Sequence, residues 1–115
     1  MASIIYKICT SAAWQQAQEA NIYAGSSDDL RDGFIHFSTA AQLRITADKH
    51  FSGQRDLVLL AVNGDKLGKN LKWEPSRDDA LFPHLYGEMP ISAVTESWNL
   101  EVDEMGKHLI PEGLA

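Results

Sequence analysis

A single cysteine, Cys9, rules out an internal disulfide, so an apolar core must hold this chain together, as a reducing compartment allows. No apolar run approaches the roughly 20 residues of a membrane helix. The opening Met1-Ala2-Ser3-Ile4-Ile5 has neither the basic start nor the apolar block of a secretory signal. These absences predict a cytoplasmic protein with no membrane partner. Positive charge is scarce too: 10 Lys and Arg against 16 Asp and Glu leave −6 at neutral pH. Non-specific nucleic-acid binding needs a basic face, so no DNA partner is expected, although a small basic pocket stays compatible with the balance. Internal repeats and low-complexity stretches are missing. So are a Gly-x-Gly-x-x-Gly fingerprint, a P-loop and a Gly-x-Ser-x-Gly elbow, which removes Rossmann-type dinucleotide binding and the serine-hydrolase elbow from consideration. Cys9, His36, His50, His84 and His108 form no close pair at zinc spacing, so no metal is expected.

What is present suits one core: 115 residues, 44% hydrophobic and 23% charged. Ser3 to Cys9 reads as a buried strand with Lys7 as its polar exception, and Thr10 or Ser11 caps a helix to Ala20. Ser26 to Asp32 reads as a mobile polar loop. Asp32-Gly33 is turn chemistry, Phe34 to Phe37 is β-prone, and Thr39 with Gln42 forms a capping box for a helix over Ala40 to Phe51. Asp56 to Asn63, apolar throughout its middle, suits a strand covered on both faces. Leu71 to Glu74 is a short strand, Phe82 to Gly87 a Pro/Gly-bounded loop, and 94–102 a last strand. Without regular βαβ alternation the expected class is α+β, with small, mainly antiparallel sheets and two helices. Residues 1–103 form one domain in this reading, and 104–115 a weakly ordered tail.

The candidate site starts from Asp32-Gly33-Phe34-Ile35-His36-Phe37-Ser38-Thr39. Strand parity puts His36 and Ser38 on one face, beside a helix start, which is good ground for a polar ligand. The alternative for His36 is a packed strand histidine bonded to backbone. Phe82, His84 and Tyr86 offer a second wall with stacking area and a switchable imidazole, or else a rigid plug for the core. Glu74 ends a strand as a candidate catalytic carboxylate or a solvated charge. Lys7 either snorkels or meets an anion, in a ligand or in a carboxylate.

Ile5-Tyr6-Lys7-Ile8, Trp14, Gly33 to Thr39 with Gln42, Leu57-Val58-Leu59-Leu60, Trp73-Glu74 and Phe82-Pro83-His84-Leu85-Tyr86-Gly87 occur in this order, and the pattern resembles the bacterial and plant family called domain of unknown function 952. That family is similar to the ADP-ribosyltransferase fold, above all to RNA 2′-phosphotransferases. Ile35-His36-Phe37-Ser38 matches their Val-His-Leu-Ser strand end, and Lys7 stands where they carry a strand histidine. The resemblance implies an ADP-ribosyltransferase-like split sandwich whose cleft takes NAD as substrate. In that reading His36 and Glu74 are catalytic, and Lys7, His36, Ser38, Thr39, Phe82, His84 and Tyr86 bind the ligand. Arg44 and Arg77 are the candidates for the phosphotransferase arginines. The function implied is a nucleotide-binding transferase; the alternative is a non-catalytic small-molecule-binding module on the same fold.

Overall fold

The computed structural model describes residues 3–76 and 79–114. In chain order its elements are β1 (Ile4–Thr10), α1 (Ser11–Ala20), β2 (Ile22–Tyr23), α2 (Ser27–Asp32), β3 (Ile35–His36), α3 (Leu43–His50), β4 (Leu57–Asn63), β5 (Leu71–Pro75), β6 (Leu81–Leu85), β7 (Met89–Pro90) and β8 (Val94–Leu100). The class is α+β, and every strand pairing is antiparallel.

The apolar run of β4 has no polar face, so both faces must be covered. It is the middle strand of a β1-β4-β8 sheet, with buried residues from Leu57 to Val62. Val58, Leu60 and Val62 face a core that includes Ile5, Cys9, Ile35 and Leu85. Leu57, Leu59 and Ala61 face a second, with Tyr6, Ile8, Leu43 and Ala47. A second three-stranded sheet runs β3-β6-β5, and β2 with β7 makes a short ribbon. The two larger sheets are joined by a backbone bridge between Tyr6 and Ser38. Tyr6 N–H donates to Ser38 O at 2.8 Å, and Ser38 N–H donates back to Tyr6 O at 2.9 Å.

Local chemistry sets the helix starts. The Thr10 hydroxyl accepts from Ala13 N–H at 3.0 Å and opens α1. Thr39 and Gln42 form the expected capping box, around a 3-10 turn at Ala40–Gln42 that runs into α3.

Three stretches differ from the expectation. Residues 26–32 are not a mobile loop but α2, a third helix. The Ser26 hydroxyl accepts from Asp29 N–H and the Asp29 carboxylate from Ser26 N–H, a capping box with Asp at its third position. Six residues with Leu30 as the single apolar one carry no readable period. Phe82 to Leu85 is not loop but the middle strand β6. Pro83 is tolerated there because it lies where the β3 pairing ends: Phe37 N–H still donates to Pro83 O at 3.0 Å, and the missing N–H gives up the return bond. Finally, residues 104–114, expected as a weakly ordered tail, pack against the domain. Val102 bridges to His108, buried His108 donates Nε2–H to Gln54 O at 2.9 Å, and Ile110 and Leu114 pack on the second core. Among the described residues no helix is long and apolar enough to cross a membrane.

Candidate functional site

A cleft of about 200 Å³ opens where β1 meets the second sheet, walled by α2, α3, and the strand pair β3 and β6. Lys7, His36, Ser38, Phe82 and His84 all line it. Lys7 sits on β1 between Ile5 and Cys9, and burial among apolar neighbours makes an unpaired ammonium untenable there. It donates to both oxygens of Asp29, at 3.1 Å to Oδ1 and 2.8 Å to Oδ2. Of the two readings of Lys7, the carboxylate partner is the one realised.

Asp29 is the centre of the arrangement, 2% exposed. Besides Lys7 it accepts from Ser26 N–H at 2.9 Å, from His36 N–H at 3.2 Å and from His36 Nδ1 at 2.6 Å. Burial alone would push its carboxyl up. The His36 hydrogen bond, the Lys7 charge and the Lys7 and Ser26 hydrogen bonds outweigh that and hold it far below the carboxylate range. Gly25 makes this placement possible: at φ +115° it passes so close that a Cβ there would lie 2.9 Å from Asp29 Cβ.

His36 is held at both ring nitrogens, Nδ1 by Asp29 and Nε2 by Asp32 Oδ2 at 3.0 Å. Asp32 Oδ1 accepts from Arg31 Nε at 3.1 Å, and Arg31 Nη1 reaches Asp28 at 3.2 Å. Basic and acidic groups thus alternate from the core to solvent: Lys7, Asp29, His36, Asp32, Arg31, Asp28. Arg31's hydrogen bond, with its charge and that of His36, holds the Asp32 carboxyl below its ordinary range.

Across β3 and β6, His36 and His84 are direct partners, with ring centroids 5.6 Å apart edge to face. His84 Nδ1 meets Glu74 Oε1 at 2.9 Å, and Tyr86 Oη donates to the same oxygen at 2.7 Å. Those two bonds, Tyr86's the larger, keep the Glu74 carboxyl below its usual range, and Glu74 raises Tyr86 in return. Phe34 stacks on His84 at 4.1 Å and leans on Tyr86 at 5.3 Å.

Not every candidate reaches the cleft wall. Glu74 and Tyr86 stand outside the lining, and Glu74 touches it through its hydrogen bond to the His84 imidazole. Thr39 is likewise outside it, its hydroxyl spent on Gln42 N–H. Ser38 is buried and shares a hydrogen bond with the Thr46 hydroxyl at 3.0 Å. Arg44 pairs with Asp48 on α3 away from the lining, and Arg77 lies outside the described residues. Asp29, Asp32, Arg31 and Phe34 were missed by sequence reasoning. The usable signal was Lys7 itself: a lysine in a buried strand requires an anion, and Ser26-x-x-Asp29 supplies one. No group of three or more His, Cys, Asp or Glu among the described residues is placed to hold a metal ion.

The comparisons agree with this architecture. The family model described as "Protein of unknown function (DUF952)" matches residues 8–97. The crystal structure of protein CC0527 from Caulobacter crescentus is similar at 47% identity and TM-score 0.90, covering 93% of this chain and 94% of that one. The solution NMR structure of the same protein aligns at 48% identity and TM-score 0.81, over 90% of each chain. A search of curated proteins finds none that matches.

Proposed function

We propose that this chain, which belongs to the DUF952 family, is a small-molecule-binding protein whose ligand sits in the cleft against His36, Ser38, Phe82 and His84. The observation that carries this is the pairing of His36 with His84 in one cross-strand row on the cleft, each imidazole held at Nδ1 by its own carboxylate. Such second carboxylates fix ring orientation, which a scaffold with no polar ligand to position does not need.

A transferase acting at the anomeric carbon of NAD is the second reading. The cleft's place between the two larger sheets favours it, because that is where the resemblance to ADP-ribosyltransferases puts the dinucleotide. Two features weigh toward the smaller ligand. Lys7 and Arg31, the lysine and arginine lining the cleft among the described residues, are both engaged by carboxylates. At about 200 Å³ the cleft is also below the usual ligand-pocket range of roughly 300–1,000 Å³.

Thermal-shift titration with ring-bearing small molecules, NAD and ADP-ribose tests both. Ligand at about 100 times its dissociation constant should add about 2.7 kcal/mol. His36→Ala should weaken binding about tenfold or more, the loss of one charge-assisted hydrogen bond. Stabilisation by NAD with release of nicotinamide would establish the transferase reading. A silent panel, or undiminished affinity in His36→Ala, would refute the cleft as the site.

A further inference from the structure

We propose that the cleft recognises a small ring-bearing carboxylate, and that the side chain of Asp32 is the resident stand-in for that carboxylate. The inference rests on the cleft being the ligand site, and adds the ligand's chemical class. His36 Nε2 and Arg31 Nε converge on a single carboxylate, one donor to each oxygen, at 3.0 Å and 3.1 Å. Two donors so spaced read a planar carboxylate, whoever supplies it.

Asp32 can yield its place, and Asp29 cannot. Asp29 is buried under Lys7, Ser26 and His36, and its removal would strand an ammonium. Asp32 is one-third exposed, at the last position of α2, before Gly33 at φ +86°. It makes the surface link of the series, where contacts are cheap to exchange with water. With Lys7 and Asp29 paired to each other, a departing Asp32 frees the His36 Nε2 and Arg31 Nε positions together for another carboxylate. The rest of the cleft asks for a ring: Ile8, Phe37, Phe51 and Phe82 line it. A cavity of about 150 Å³ already holds benzene, so about 200 Å³ takes one ring and a carboxylate.

The test uses the full chain with benzoate as probe and benzamide as its uncharged counterpart, followed by NMR titration that reports the His36 ring. Asp32→Ala removes the competitor and should bind benzoate about tenfold tighter than the wild type, the worth of one charged hydrogen bond. Asp48→Ala removes equal charge from α3 at a side chain off the cleft lining, and should leave affinity within about twofold. Arg31→Met in the Asp32→Ala background should cancel the gain. No gain in Asp32→Ala, or an equal gain for benzamide, would overturn the carboxylate clamp while leaving the cleft as a ring-binding site. Failure of both probes on every variant at millimolar concentration would overturn the proposed function as well.

Discussion

The Lys7–Asp29 pair makes a prediction of sign rather than of size alone. Both side chains are buried, at 7% and 2% exposure. Removing one partner of a buried pair costs about 3–5 kcal/mol, because the other is left charged out of water. The two halves are not equivalent here. In Lys7→Met, Asp29 keeps the Ser26 and His36 donors, so the cost should be near the lower bound, about 3 kcal/mol. In Asp29→Leu, Lys7 loses the acceptor it reaches among the described residues, and the N–H groups of Ser26 and His36 lose theirs. That cost is about 5 kcal/mol or more, a large part of a domain's stability. In the Asp29→Leu background, Lys7→Met should therefore stabilise the protein, since it removes a stranded ammonium. Urea denaturation of the four chains of the cycle measures this, with the slope checked for constancy. For Lys7→Met alone the melting temperature should fall by roughly 12–24 °C, at about 4–8 °C per kcal/mol. If Lys7→Met destabilises equally in both backgrounds, or stays within about 0.5 kcal/mol of wild type, the pair does not hold α2 to β1 as described.

The remaining predictions concern single contacts. Asp29's carboxyl is depressed in the folded protein, so its contribution is complete above its unfolded value near about 3.9 and is lost only as pH falls far below that; Lys7→Met should move the loss upward, seen as an acid-unfolding midpoint at higher pH. An unshifted midpoint would count against the pairing. Glu74→Gln should bring the Tyr86 phenol down toward its ordinary value, followed by ultraviolet absorbance during alkaline titration, while Tyr23, raised chiefly by its burial, stays high. Thr39→Ala should cost about 1 kcal/mol in urea through loss of the cap and leave ligand affinity unchanged, because Thr39 lies off the cleft; a loss of affinity would restore it to the site.

Legibility in the sequence followed the reach of each signal. The apolar run 57–62 and the Thr39–Gln42 box are local patterns, and both appear in the structure. α2 went unread because six residues with one apolar position show no period; its Ser26-x-x-Asp29 box is local, but that carboxylate's second task, counter-ion to Lys7, joins residues far apart in the chain. The same holds for the His36 alternatives, packed or lining a cleft. The ring nitrogens meet the carboxylates of Asp29 and Asp32 rather than backbone, and the ring lies on the cleft wall. His84 was placed on a loop because Pro83 and Gly87 flank it, yet Pro83 falls where the β3 pairing ends and keeps its carbonyl bonded to Phe37 N–H.

The position of β4 also fixes when this protein can begin to fold. Ile4 pairs with Asn63, and Leu57 pairs onward with Leu100, so the central sheet is assembled from contacts distant along the chain. On a ribosome β1 leaves the tunnel as a nearly uninterrupted apolar strand and must wait for β4, and β4 in turn for β8. Domains so dominated by non-local pairing close slowly, in milliseconds to seconds, because chain entropy is lost before contacts repay it. The buried lysine in β1 then has a consequence before the native state exists: a charge in the middle of an exposed sticky strand hinders its pairing with other chains during that wait.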